Sequence, residues 1–314
     1  MIKVKNEKAG QLLSGKFLKD ISRDRQLYYM LIPFVLYYIL FFYRPMYGIQ
    51  IAFKDYSVFM GITGSPWVGF KHFKTFFSSP YFFRVVRNTF TINFYSLCTV
   101  FPASIVLAVL LNEIKFKKFR TFVQTVSYLP HFISTVVVAG LVVTFLSPSS
   151  GIINVLIEKM GGRKQYFLMN PSYFKLIYII MSGWQSIGFG TIVYTSAISG
   201  IDSTLYEAAE VDGAGRFRKA ISITVPMILP TISIMLITKL GSMLSLGAEA
   251  IILLYQPATY ETADVISSFV YRQGIVDRNY SYSAAVGLCN SVISLLLVTI
   301  SNRISRKLNG SGLW

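Results

Sequence analysis

Two sets of residues carry the chemistry that this sequence can do. The first set lies inside long uncharged stretches: Trp184 and Gln185, Lys239, Glu249 and Asn290. Polar groups in such surroundings are expensive and are kept either for function or for bonds between helices. Trp184 beside Gln185 offers a flat aromatic face next to an amide, a pairing suited to ligands rich in hydroxyls, whose directed hydrogen bonds need matched partners. Lys239 follows Pro226 by about 13 residues, roughly 20 Å along a helix at 1.5 Å per residue. Glu249 lies ten residues further on, too far to pair with it directly. A ligand path and a set of interhelical bonds, or a snorkelling lysine, are both open readings of these residues. His131, directly after Pro130, reads as structural.

The second set sits in one polar segment, Asp202 to Pro226. Thr204 and Glu207 have the spacing of a Thr-x-x-Glu capping box and predict a helix start. Leu205, Ala208, Ala209 and Asp212 then share one face. Gly213 suits a left-handed stop. Phe217, Ala220, Ile221 and Thr224 line a second short helix, and Pro226 and Pro230 precede another apolar run. Two adjacent alanines make a small, close-approach surface, of the sort that lets a short helix seat in a groove on another protein.

The elements that must hold these residues are membrane spans. The sequence is 53% hydrophobic and 14% charged, with mean hydropathy +0.53, whereas soluble domains carry about a quarter charged residues. Stretches lacking Asp, Glu, Lys and Arg run from Leu27 to Tyr43 (extended by Met46 to Phe53), Asn88 to Asn112, Thr121 to Leu146, Leu176 to Ile201, Ala220 to Thr238 and Asn279 to Asn302. Each approaches the roughly 20 apolar residues that cross a bilayer. The expectation is an all-α membrane protein with six transmembrane helices. The first run follows mostly polar residues with no small-residue cleavage site, so it reads as a retained helix.

Lys and Arg set the expected orientation. Seven lie before Leu27 (Lys3, Lys5, Lys8, Lys16, Lys19, Arg23, Arg25). Lys115, Lys117, Lys118 and Arg120 follow the second run, Arg216, Arg218 and Lys219 precede the fifth, and Arg303, Arg306 and Lys307 follow the sixth. All four clusters fall on one side, which predicts both termini in the cytoplasm. The opposite segment, Arg44 to Arg87, carries six basic residues against one acidic. It is aromatic, with Trp67, Phe70, Phe73, Phe76 and Phe77, and is predicted to hold short interfacial helices, as are Ser147 to Lys175 and Gln256 to Arg278.

The Asp202 to Pro226 segment resembles the EAA loop of ABC importer permeases, whose pattern is Glu-Ala-Ala, three residues, Gly, nine residues, then Ile-x-Leu-Pro. Glu207, Ala208, Ala209, Gly213, Ile223 and Pro226 stand in register, with Val225 in place of the family leucine. The resemblance implies a type I ABC importer permease (MetI-like) fold in a bacterial inner (plasma) membrane. Residues 1–87 would form an N-terminal tail, first helix and outer loop. Residues 88–303 would form the permease core with the loop at about 202–226, and 304–314 a cytoplasmic tail. Trp67-Val-Gly-Phe-Lys-His-Phe73, Phe269-Val-Tyr-Arg-Gln-Gly274 and Leu313-Trp314 resemble the branch that imports oligosaccharides of complex polysaccharides.

In that family the loop is a coupling helix seated in the ATPase subunit, so the resemblance assigns Glu207, Ala208, Ala209, Gly213, Ile223 and Pro226 to ATPase coupling. It further implies a second permease, a distinct homologue, two ABC ATPase subunits, an extracytoplasmic solute-binding protein and a carbohydrate substrate. Lys239 and the basic outer segment suit an acidic oligosaccharide. The alternatives are a permease for another solute, such as a peptide or amino acid, or a membrane scaffold without transport. No Gly-x-x-x-x-Gly-Lys-[Ser/Thr] loop occurs, and Leu13-Ser-Gly-Lys16 lacks the rest of an ABC signature, so ATP hydrolysis is assigned to partners. Cys98 and Cys289 lie in apolar runs, and His72 and His131 have no ligand spacing. No metal, cofactor, hydrolase motif or nucleic-acid role is expected.

Overall fold

In the computed structural model the uncharged runs become helices, and the structure describes residues 25–241, 243 and 247–309. Lys3, Lys5, Lys8, Lys16, Lys19, Arg23, the Leu13–Lys16 fragment and the Leu313-Trp314 end lie outside the described residues. Among the described residues the only non-helical pairing is an isolated bridge between Lys54 and Trp67. The chain divides into two compact units after Val68.

The first unit is dominated by α1 (Arg25–Tyr38), which continues through a wide turn, Ile39–Tyr43, and a tight one, Tyr47–Phe53. It forms one apolar stretch from Arg25 to Phe53. Phe53 stacks flat on Trp67 at 5.7 Å between ring centres.

The second unit is built on α2 (Lys71–Phe77), α3 (Tyr81–Glu113), the bent pair α4 (Lys117–Tyr128) and α5 (Thr135–Phe145), α6 (Ile152–Lys159) and α7 (Pro171–Ser199). After these come α8 (Ser203–Val211), α9 (Arg216–Lys219), α10 (Leu229–Gly241), α11 (Ala248–Leu254), α12 (Ile266–Tyr271) and α13 (Tyr280–Asn309). The principal packing is α3 against α7. Val85, Asn88, Thr89, Ile92, Val100, Ser104, Ala108 and Leu111 of α3 are buried, a helical stripe. Phe174, Tyr178, Met181, Gly188, Thr191, Tyr194 and Ile198 form its counterpart on α7. Ile92 clusters with Phe174 and Tyr178, and Ala108 with Tyr194 and Ile198, so the two helices run parallel. Where lipid surrounds a protein, helices associate through close packing of small residues more than through hydrophobic drive. Gly188 is the clearest instance, since a Cβ there would sit 1.8 Å from the Ser127 carbonyl oxygen of α4.

Four helices are long and apolar enough to span a membrane unaided: Arg25–Phe53, Tyr81–Glu113, Pro171–Ser199 and Tyr280–Ile304. The third and fifth predicted spans are not straight. Lys117–Phe132 meets Thr135–Phe145 at 96°, and Arg216–Met227 meets Leu229–Gly241 at 62°. Each break has a local cause. Pro130 supplies no N–H, and Ser134 restarts the helix by accepting from the Val136 N–H at 3.3 Å. Pro226 and Pro230 flank the second bend, and Ala220–Thr224 forms a wide turn just before it. Short helices also occur where the polar segments predicted them, α2, α6 and α12, whereas α11 falls just before the third of those segments and was not expected.

Candidate translocation cavity and docking segment

At the C-terminal ends of α3 and α7 the chain folds into a small helix-turn-helix. The start of α8 differs from the sequence expectation. Asp202, not Thr204, is the cap: its carboxylate accepts from the Thr204 N–H at 3.0 Å. Thr204 therefore lies inside the first turn, and the Thr204–Glu207 capping box does not form. An ionised carboxylate is a stronger acceptor for orphan helix N–H groups than a hydroxyl. That bond holds the Asp202 carboxyl below its ordinary value of 3.8. The helix stop does fall at Gly213, with φ +77°. Gly213 N–H donates to Glu210 O at 3.0 Å and Ala214 N–H to Ala209 O at 2.8 Å, the paired bonds of a Schellman stop.

Two side-chain links brace the motif. Tyr206 Oη and Thr224 Oγ1 are 2.9 Å apart, and Lys219 Nζ lies 3.2 Å from Glu210 Oε2. Glu207 and Ala208 are exposed, Ala209 and Ile223 half-buried, and Pro226 exposed. Val211 and Phe217 present 90% and 80% of their surface to solvent. An apolar rim of this kind around a braced turn has the character of a docking surface.

A cavity of about 540 Å³ lies between α3, α7 and α10. Asn93, Ser96 and Ser104 line it from α3, Tyr178, Ser182 and Ser186 from α7, and Thr238 and Lys239 from α10. Its volume and its mixture of rings with a few directed polar groups match small-ligand sites in general. Lys239 is thus the one member of the predicted path set on the cavity wall. Trp184 is half-exposed on another face of α7. Gln185 donates its side-chain amide to Ile133 O at 2.9 Å, stitching α7 to the break between α4 and α5. Glu249 is exposed in the first turn of α11, and Asn290 lies half-buried in α13. His131 stacks on Phe189 at 3.8 Å, and Phe189 lines the cavity.

Sequence reasoning missed the most heavily bonded polar cluster. Asp264, fully buried, accepts from Arg272 Nη2 at 2.6 Å and Nη1 at 3.2 Å, Arg84 Nη2 at 3.3 Å and Ser268 Oγ at 2.8 Å. Asn88 donates to the carbonyls of Glu261 and Asp264, and Thr89 Oγ1 accepts from the Ile266 N–H at 2.9 Å. Burial alone would lower the Arg272 pKa, but bonding to Asp264 more than offsets it and the net shift is upward. The signal available was an acid flanked by Ala263, Val265 and Ile266. The cluster ties α3 to the 256–278 segment, at the end of α3 opposite the helix-turn-helix.

A cavity walled by parallel and bent apolar helices, with an exposed, braced turn at one end, is an arrangement that suits a polytopic membrane transport component. A family model for the binding-protein-dependent transport system inner membrane component matches residues 101–310, and the chain belongs to that family. It is a permease, not an enzyme. The polygalacturonan/rhamnogalacturonan transport system permease protein YteP of Bacillus subtilis (strain 168) is 42% identical over 299 residues, 95% of this chain and 93% of that protein. Protein LplB of the same organism is 41% identical over 313 residues, 99% of this chain and 98% of that one. A crystal structure of a bacterial ABC transporter involved in the import of the acidic polysaccharide alginate superposes with a TM-score of 0.88 at 47% identity, covering 94% of this chain and 99% of that one. A crystal structure of the bacterial alginate ABC transporter in complex with an alginate pentasaccharide-bound periplasmic protein matches with a TM-score of 0.87 at 47% identity, over the same shares of both chains.

Proposed function

We propose that this chain is one permease half of an ATP-driven importer for acidic oligosaccharides. In this reading the two bent pairs are the third and fifth of six spans, and both termini face the cytoplasm. Glu207, Ala208, Ala209 and Gly213 seat in an ATPase subunit, with Ile223 and Pro226 at the root of that element. A second, homologous permease completes the pathway, two ATPase subunits drive it, and an extracytoplasmic binding protein delivers the sugar. Nucleotide binding favours one of two packings of the halves, and the cavity is exposed to each side in turn.

The observation that carries the substrate class is Lys239 on the wall of a cavity that also presents hydroxyls, an amide and aromatic rings among aliphatic side chains such as Leu97, Val100 and Met235. Hydroxyls and an amide bind sugar hydroxyls, and an ammonium adds a charge-assisted bond to a uronate carboxylate. The relatives named for galacturonan and alginate transport support the same reading. The test is uptake by proteoliposomes holding the whole transporter and its binding protein, fed galacturonate oligomers or neutral arabino-oligosaccharides. Lys239→Met is expected to lower kcat/KM for the acidic chain by roughly 10- to 100-fold, the worth of a hydrogen bond to a charged group. Neutral chains that the transporter accepts are expected to stay within about threefold. Equal loss for both would overturn the acidic preference.

A further inference from the structure

A second pocket lies at the far end of the bundle from the docking turn, where α3 and α13 begin. It measures about 460 Å³ and opens to solvent. Its floor is aromatic, made by Tyr81, Phe269 and Tyr282, and its rim is polar, made by Ser78, Gln273 and Asn279 among others. Hydroxyls, amides and ring faces without a wholly greasy wall are the complement of a sugar ring, which has polar edges and apolar C–H faces.

The charge behind the floor is positive. The Arg84 guanidinium lies 4.8 Å from the Tyr81 ring centre, and that of Arg272 lies 5.6 Å from Phe269. Both arginines share the single carboxylate of Asp264, so this partly buried group carries one net positive charge beside the Tyr81 and Phe269 rings of the pocket. Arg84 Nε and Asn88 Oδ1 are buried there with no hydrogen-bond partner. Asp277, outside the lining itself, accepts from the rim residue Gln273 through Nε2 at 2.6 Å and is followed directly by Arg278.

We propose that this pocket is an outer subsite that holds one unit of an anionic sugar chain while the leading units occupy the transmembrane cavity. The inference rests on the importer reading and adds to it a second point of contact. A chain long enough to span both sites gains affinity that a short one cannot, because the second contact is intramolecular once the first has formed.

Ser78 is exposed and lines the pocket, so either sign of charge can be added there without disturbing the core. In proteoliposomes bearing the complete transporter, uptake of digalacturonate and hexagalacturonate is measured for wild type, Ser78→Glu and Ser78→Lys. The expected result is a five- to tenfold rise in KM for hexagalacturonate with Ser78→Glu, an unchanged or lower KM with Ser78→Lys, and less than twofold change for digalacturonate with either. Equal changes for both lengths, or the same direction of change for both substitutions, would overturn the subsite. If wild type takes up neither galacturonate, it is the importer reading for acidic chains that fails. If wild type takes up both and the Ser78 variants behave as wild type, the subsite alone fails.

Discussion

Replacing Asp264 by Asn keeps the shape of the side chain and removes its charge. Asp264 has no exposed surface and takes two bonds from Arg272, one from Arg84 and one from Ser268, all within 3.3 Å. The Asn variant leaves two guanidiniums facing each other across a neutral amide whose NH2 cannot accept. Breaking a buried ion pair by removing one partner costs about 3–5 kcal/mol. At about 2–4 °C per kcal/mol for a large domain, the purified protein in detergent should melt roughly 10 °C lower. Arg84→Gln removes only the longest bond and one surplus charge, so it should lower the midpoint by about 3 °C or less. The Asp264→Asn, Arg272→Gln double variant should be less damaged than the sum of its parts, because neither charge is then left unmatched. Thermal unfolding followed by fluorescence-detected size exclusion reads all three. An Asp264→Asn protein melting within 2 °C of wild type, with 2 °C taken as about 1 kcal/mol, would refute the reasoning.

Other outcomes follow from the same geometry. Gly213→Pro cannot adopt φ +77° and loses the N–H bonded to Glu210, so ATPase co-purification and ATP-driven uptake should collapse. Glu207→Arg should weaken the same association with the fold intact, and normal assembly and uptake by either variant would count against the docking role. Gly188→Ala drives a methyl into the Ser127 carbonyl, and should destabilise by about 1–3 kcal/mol, the scale of overpacking a tight core, read as a lower melting point. Asp202 is held ionised by the Thr204 N–H. A depressed carboxyl stabilises above its ordinary value of 3.8 and loses that contribution as pH falls through its lowered folded value. Protection of the Thr204 amide in hydrogen exchange should therefore persist in Asp202→Asn, whose side-chain oxygen still accepts, and vanish in Asp202→Ala.

Much of this architecture could be read from residue types alone. Uncharged runs near Leu27, Asn88, Leu176 and Asn279 each lie in one long apolar helical stretch, Pro33 and Pro102 included, since about twenty apolar residues in lipid leave the backbone little alternative to hydrogen-bonding itself. The bends at Pro130 and between Pro226 and Pro230 were marked by proline, but their angles depend on packing, as the Gln185 bond to Ile133 O illustrates. The Gly213 stop is local chemistry and was legible. The cap slipped by two residues because Asp202 and Thr204 both qualify and only the backbone path selects between them. Arg84 and Asp264 are 180 residues apart in sequence, and no local pattern announces such a pair. The placement of Trp184 away from the cavity depends on the rotation of α7, which a run apolar on every side does not specify.

The parallel arrangement of α3 and α7 has a consequence for how the protein is made. Parallel neighbours cannot meet until the chain between them has been synthesised, and the Ile92–Phe174 cluster needs about 80 residues more. At about 5–20 residues per second, α3 sits in the bilayer for roughly 4 to 16 s before its counterpart arrives. Arg84 waits longer still, about 9 to 36 s at that rate, for a carboxylate 180 residues downstream. Its position in the first turn of α3 keeps that charge at the water boundary throughout translation, where an unmatched guanidinium is tolerable and one buried at mid-membrane is not.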